Sequence, residues 1–70
     1  MPRLRFTQGD IVADAIVNPL DDGCFRAVVS ISDASGRSQL FRAEPTLCDE
    51  DDALAQASAL AQHLLKRMQN

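Results

Sequence analysis

The sequence predicts an α+β fold in which an antiparallel meander of three strands, or four with an N-terminal edge strand, carries one C-terminal amphipathic helix. Three observations predict it. Residues 24–32 alternate apolar and polar side chains with a period of two. Turn sequences rich in Asp, Ser and Gly flank this segment. Residues 49–68 repeat apolar side chains at helical spacing. With 70 residues, the chain is expected to form a single domain, residues 1–70.

Residues 24–32 form the most regular predicted strand. One of its two faces is expected to pack against the helix, and the other is expected to lie on the uncovered side of the sheet. The face expected to lie under the helix consists of Phe25, Ala27, Val29 and Ile31. Val28 points to the other face. Asp21-Asp22-Gly23 before the strand and Asp33–Gly36 after it supply turn chemistry. The 11–43 region is therefore expected to be a β-meander.

The flanking segments are less regular. Residues 11–18 fit a helical stripe as well as a strand, and their β-branched side chains and the Asn18-Pro19 end favour the strand. Residues 1–10 are expected to be an edge strand, an arm that pairs with another subunit, or a disordered segment. A third strand is expected over residues 37–43, with Phe41 toward the core, and Glu44-Pro45 is expected to end it because proline lacks a backbone donor.

A helix over residues 49–68 is predicted by its apolar arc and by the distribution of its charges. Asp49 is the expected N-cap, with Thr46 as the alternative. Acidic residues fill the first turn, and Lys66 and Arg67 lie in the last, as the helix dipole favours. The apolar arc consists of Ala53, Leu54, Ala57, Leu60, Ala61, Leu64, Leu65 and Met68.

The composition narrows the classes of function. The net charge of −3 weighs against a free nucleic-acid-binding protein, although four of the ten acids lie together at residues 49–52. There is no long apolar run and no secretory signal pattern, so no membrane contact and a cytoplasmic location are expected. In that compartment Cys24 and Cys48 are expected to be free thiols, Cys48 serving as a small buried side chain. Their spacing matches no zinc motif, and no metal or cofactor is expected.

Two segments, DDGCFRAVVSIS and LCDEDDALAQASALAQHLL, resemble a pattern in small uncharacterised bacterial proteins with a β-β-β-α order. The resemblance covers residues 11–68 and lies in turn, strand and cap residues, so it implies a fold and transfers no catalytic residue. The order of elements is also similar to the sheet and final helix of double-stranded RNA-binding domains, and to the arm-binding domains of phage integrases. Topology alone does not determine function.

Enzymatic chemistry is not expected from the residue inventory. His63, the only histidine, lies opposite the apolar arc of the helix, where Gln62 and Lys66 offer no catalytic partner. The acids at residues 49–52 lack the spacing of a calcium loop and are explained by helix capping. We therefore expect that the protein is not an enzyme.

The face of the sheet away from the helix is the expected functional surface. One helix can cover only one face, so the apolar residues of the other face need a partner. The expected interface consists of Val12, Asp14, Ile16, Arg26, Val28, Leu40 and Arg42. We expect a protein–protein interaction module that forms a homodimer through this face or an edge strand, with Arg26 or Arg42 pairing with Asp14 of a neighbour. An unknown protein partner is another possibility. The alternative function is a nucleic-acid-binding sheet that uses Arg26 and Arg42.

Overall fold

The computed structural model describes residues 3–68, with side chains up to residue 67, and contains four antiparallel strands followed by one helix. The elements are β1 Arg3–Gln8, β2 Ile11–Pro19, β3 Phe25–Ser32, β4 Ser38–Leu47 and α1 Glu50–Met68. The strands lie in the order β1-β2-β3-β4 within one sheet, so each pairs with its neighbour in the chain. The α+β prediction is confirmed in its four-stranded form.

Strand β1 settles the prediction for the N-terminal segment in favour of an edge strand. It pairs antiparallel with β2, and Phe6 lies opposite Ala13. The turn between them consists of Gly9 and Asp10, and Gly9 has a φ of 59°. A positive φ at the first central position is the geometry of a type II′ hairpin turn, which glycine adopts without steric cost. Met1 and Pro2 lie outside the described residues.

Strand β2 confirms the strand interpretation of residues 11–18 and corrects the helical alternative. Its pairing with both β1 and β3 makes it a central strand. The β2–β3 turn is closed by a hydrogen bond from the Leu20 amide to the Cys24 carbonyl at 2.8 Å. The Asp22 carboxylate accepts a second bond from the Cys24 amide at 2.9 Å. The expected turn chemistry of Asp21-Asp22-Gly23 therefore forms this hairpin.

The β3–β4 turn is organised by one carboxylate. Asp33 Oδ1 accepts hydrogen bonds from the Ser35 amide at 3.0 Å, the Ser35 hydroxyl at 2.6 Å and the Arg37 amide at 3.1 Å. The Ser35 hydroxyl is the main cause that holds the pKa of Asp33 below its ordinary value. Gly36 has a φ of 89°, a conformation that L side chains rarely adopt.

Strand β4 is longer than predicted, and its predicted end at Ala43 is wrong. Pairing continues through an irregularity in which residues 43–45 of β4 lie opposite Ala27 alone, and then resumes with Arg26 opposite Thr46. This is a bulge in an edge strand, where Pro45 removes no donor that a neighbouring strand needs. Pro45 therefore lies within β4 and does not end it. The predicted orientation of Phe41 is confirmed, because it lies opposite Val29.

Helix α1 begins as predicted, with Asp49 as its N-cap. Asp49 Oδ1 accepts hydrogen bonds from the Asp51 amide at 2.8 Å and the Asp52 amide at 3.2 Å. These bonds satisfy donors that no helical carbonyl can reach, so the alternative cap at Thr46 is wrong.

The core lies between α1 and the two central strands and is built mainly from small side chains. Alanine at three successive turns of α1 lets the helix approach the sheet closely. The buried cluster consists of Ala13, Ala15, Ala27, Val29, Ile31, Ala57, Ala61 and Leu65. Of the predicted arc, Ala53 is also fully buried, Leu54, Leu60 and Leu64 are half-buried, and the Met68 side chain lies outside the described residues. Phe25, expected under the helix, is half-buried at the start of β3.

Cys24 and Cys48 form a disulfide, and the prediction of free thiols is wrong. Cys24 precedes β3 and Cys48 follows β4, directly beyond the last pair of the β3–β4 ladder, Phe25 with Leu47. Their Cα atoms are 4.0 Å apart. The expected strand end at Ala43 would have left Cys48 away from β3, and the continuation of β4 past its bulge brings it back. Cys48 is exposed, contrary to its expected role as a buried side chain.

Candidate functional site

The face of the sheet away from α1, which we call the open face, collects the expected interface residues. Residues directly opposite one another in antiparallel strands project to the same face. One row therefore crosses all four strands, in the order Arg3, Ile16, Val28 and Arg42. An arginine stands at each end of this row, and two aliphatic side chains lie between them.

The neighbouring row of the open face crosses the sheet through Arg5, Asp14, Ser30 and Leu40. On the other side of the first row, Arg26 lies between Asn18 of β2 and Thr46 of β4. A third row includes Val12, opposite Ser32. The register thus brings all seven expected interface residues to one face, and adds Arg3 and Arg5 from β1.

Val28 shows that part of the expected need for a partner is met within the chain. It is only 8% exposed, although α1 covers the opposite face of the sheet. Ile16 and Arg42 lie directly beside it on the two neighbouring strands. Long arginine stems can cover apolar surface while the charged group stays in water, and the register places Arg42 where its stem can do so for Val28. Val12 and Ile16 are half-buried.

Leu40 is the exposed aliphatic side chain of the open face. It is 55% exposed, on the outermost strand of the sheet. Its neighbour across the ladder is the small Ser30, which provides little cover. The apolar surface that a partner would bury is therefore centred on Leu40 and on parts of Ile16 and Val12.

The Asp14 carboxylate forms an ion pair within the same chain, with Arg5. Arg5 Nε donates to Asp14 Oδ1 at 2.9 Å, between two directly opposed positions of β1 and β2. This bond is the main cause that raises the pKa of Arg5, and the negative charge of Asp14 adds to it. The Asp14 side chain is 13% exposed and the Arg5 side chain 62%. The expected pairing of Asp14 with an arginine of a neighbouring subunit is therefore not required to satisfy it.

The open face carries an excess of positive groups. Four arginines lie on it, and Arg42 and Arg3 are exposed while Arg26 is half-buried. Asp14 is already engaged, and Glu44 lies in the bulge at the margin of the face. Even when both acids are counted against the arginines, the described part of this face remains positive. The other eight acids of the chain lie in the three turns of the sheet or at the start of α1, where Asp49 is the cap and three more fill the first turn.

Residues considered for other chemistry are dispersed. His63 is exposed on α1. A cleft of about 200 Å³ at the β3–β4 turn includes Asp33 and Arg37, but the Asp33 carboxylate is occupied by the hydrogen bonds of the turn. Within residues 3–68, no three His, Cys, Asp or Glu side chains are grouped to hold a metal ion. Gln56 Oε1 is buried without a hydrogen-bond partner.

Arg3 and Arg5 lie on the open face but were not among the predicted interface residues. The signal was the alternation of Arg3, Leu4, Arg5 and Phe6, which places both arginines on one face once the segment is a strand. The residues of β2 that lie opposite Arg3 and Arg5 were not predictable, because the register between β1 and β2 depends on the Gly9-Asp10 turn.

Comparison of the chain with protein-family models, with curated proteins and with solved structures gave no match in any of the three. Within residues 3–68, the structure contains no helix that is long and apolar enough to cross a membrane.

Proposed function

We propose that this protein is a small protein–protein interaction module that uses its open face to bind an acidic surface of another protein. The observation that carries the proposal is the arrangement of four arginines around a partly exposed aliphatic surface, Leu40 and Ile16, on the sheet face that α1 does not cover. An apolar centre with arginine around it is typical of protein interfaces. Arginine forms bidentate pairs with carboxylates, and such pairs would make the surface specific for an acidic partner.

Self-association through the open face is the second candidate. The exposure of Leu40 favours it, because a partner copy would cover this side chain. The charges oppose it, because a symmetric dimer would bring two positively charged faces together while each Asp14 is already paired with Arg5. The burial of Val28 also reduces the apolar area that a dimer would gain. These two observations favour an acidic partner over a second copy.

Nucleic-acid binding through Arg26 and Arg42 is the third candidate. The arginines of the open face favour it, since phosphate contacts supply most of the affinity for nucleic acid. The aliphatic centre gives a base no aromatic ring to stack on, and Phe6 and Phe41 pack against the core on the other side of the sheet. An acidic protein surface satisfies both the charge and the apolar centre.

Three measurements on the intact chain distinguish these candidates. Fluorescence anisotropy is measured with a labelled Glu-rich peptide that contains interspersed Leu, and with a labelled duplex DNA, at about 0.1 M salt. Light scattering after size exclusion measures the mass of the chain. We expect the peptide to bind more tightly than the duplex, to a chain of monomer mass near 7.6 kDa. Tighter binding of the duplex, or a dimer mass that Leu40→Ser abolishes, would contradict the proposal.

The proposal keeps the cytoplasmic location that is expected from the sequence, on the condition that the disulfide is not permanent. Stable disulfides are rare in the reducing cytoplasm, where those that form are usually transient or regulatory. The Cys24–Cys48 bond is compatible with that compartment only if it opens and closes. Labelling of thiols in cells before and after reduction would give the oxidised fraction.

A further inference from the structure

We propose that the Cys24–Cys48 disulfide is a reversible redox latch that holds the end of β4 and the first turn of α1 against β3. The proposal does not depend on what the open face binds. It depends on where the bond lies in the fold and on how little else holds the segment that it closes.

The bond closes the far end of the β3–β4 hairpin. Two ladder pairs, Phe25 with Leu47 and Arg26 with Thr46, lie between the disulfide and the bulge. The bulge at residues 43–45 separates these two pairs from the longer ladder between β3 and the first part of β4. A bulge disrupts pairing locally, so the two terminal pairs receive little support from the rest of the strand.

The segment that the disulfide closes contributes little to the core. Glu44, Pro45 and Thr46 are exposed, and Leu47 is half-buried. The buried cluster is drawn from β2, β3 and α1, and from β4 only Phe41 and Ala43 pack against it. Segments with few buried contacts open at a lower free energy than the core does. Cleavage of the bond should therefore release residues 44–48 while the core stays packed.

The latch also controls the start of α1. Cys48 is followed directly by Asp49, whose carboxylate caps the helix through the Asp51 and Asp52 amides. While Cys48 is bonded to Cys24, the position of this cap is fixed relative to β3. Once the bond opens, the cap and the first turn lose that constraint and should fray.

The bond is placed for reaction with a thiol. Cys48 is exposed and Cys24 is half-buried, so a reductant approaches from the Cys48 side. One thiolate of a dithiol attacks Cys48 Sγ, and Cys24 leaves as a thiolate that takes up a proton. The second thiol of the reductant, after losing its proton, displaces Cys48, which is protonated in turn. Two electrons pass from the dithiol to the protein, and the reductant becomes a cyclic disulfide.

Hydrogen–deuterium exchange of the full chain, with and without dithiothreitol, tests the latch. We expect amide exchange over residues 46–52 to accelerate about tenfold or more on reduction, while residues 13–17 of β2 keep their protection. Removal of the reductant under air should restore the original protection. Equal exchange in both states would contradict the proposal, and so would loss of protection throughout β2, which indicates global unfolding.

A double variant, Cys24→Ser with Cys48→Ser, provides a control without reductant. It should show the exchange pattern of the reduced chain and no response to dithiothreitol. If this variant is unfolded while the reduced chain is folded, the comparison of oxidised and reduced wild-type chain still decides the question. A response of the double variant to dithiothreitol would contradict the role of the bond.

Discussion

Arg5 and Asp14 face each other across the first hairpin, with Arg5 Nε 2.9 Å from Asp14 Oδ1. Asp14 is the carboxylate that the strand register places within the open face, and the pair neutralises it. The pair thereby leaves Arg3, Arg26 and Arg42 on that face without competition from Asp14. This relationship connects the edge strand β1 to the charge of the candidate interaction surface.

Replacement Asp14→Asn should strengthen binding of the Glu-rich peptide, because it removes a negative charge from the open face and frees Arg5. The cost in stability should be small, since the Arg5 side chain is largely exposed and water screens such a pair. Anisotropy measures the first quantity and urea unfolding the second. Asp10→Asn, which changes the same charge at the β1–β2 turn, is the matched control and should leave peptide binding nearly unchanged. Weaker binding by Asp14→Asn would be inconsistent with an acidic partner.

Leu40 and Val28 should separate binding from folding on the same face. Val28→Ala should lower the free energy of unfolding by about 1–2 kcal/mol, because Val28 is 8% exposed. Leu40→Ser should change stability by only about 0.5 kcal/mol but weaken peptide binding, because Leu40 is 55% exposed. Urea unfolding and anisotropy on both variants check this. A large loss of stability in Leu40→Ser would show that Leu40 is a folding residue.

Asp33 should make the β3–β4 turn sensitive to acid. The pKa of Asp33 is lower in the folded chain than its ordinary value of about 4, so the ionised form is favoured by folding. Its stabilising contribution is therefore fully present above pH of about 4, and is lost as pH falls through the lower folded value. Ser35→Ala removes the hydroxyl donor and should raise the pKa of Asp33. An NMR titration of its carboxyl carbon in both proteins would test this, and equal pKa values would contradict it.

Asp49→Ala should destabilise the chain by about 1 kcal/mol, because two amide donors at the start of α1 lose their acceptor. Asp51→Asn, which changes the same charge in the first turn, should cost less because its effect is limited to the helix dipole. Thermal unfolding followed by circular dichroism measures both. Equal losses for the two variants would show that charge, rather than capping, is the important property of Asp49.

Much of the fold follows from local patterns in the sequence. The alternation in residues 24–32, the two Asp- and Gly-containing turns and the acid-capped helix each lie within a few residues, so local physics specifies them. The orientation of Leu40 and Arg42 away from the core followed from a simple hairpin register, which the structure confirms over residues 38–42. The face that carries the expected interface residues was therefore predictable.

Features that depend on contacts between distant segments were not predictable. Pro45 looked like the end of a strand, and only the bulge lets β4 continue to Leu47. The prediction of free thiols at Cys24 and Cys48 came from the expected cytoplasmic location, and the disulfide also depends on the continuation of β4, which brings Cys48 beside Cys24. The placement of Ile16 and Arg42 beside Val28 depends on the register of two hairpins, and the Arg5–Asp14 pair depends on the register of β1.

The most direct test of the central proposal is the affinity of the Glu-rich peptide for two double variants that lose the same charge. We expect Arg26→Gln with Arg42→Gln, on the open face, to weaken binding about tenfold, because charge-assisted bonds to the peptide carboxylates are lost. Lys66→Gln with Arg67→Gln, in the last turn of α1, should weaken it by no more than about twofold, the general effect of net charge. Equal weakening by both pairs would contradict binding through the open face.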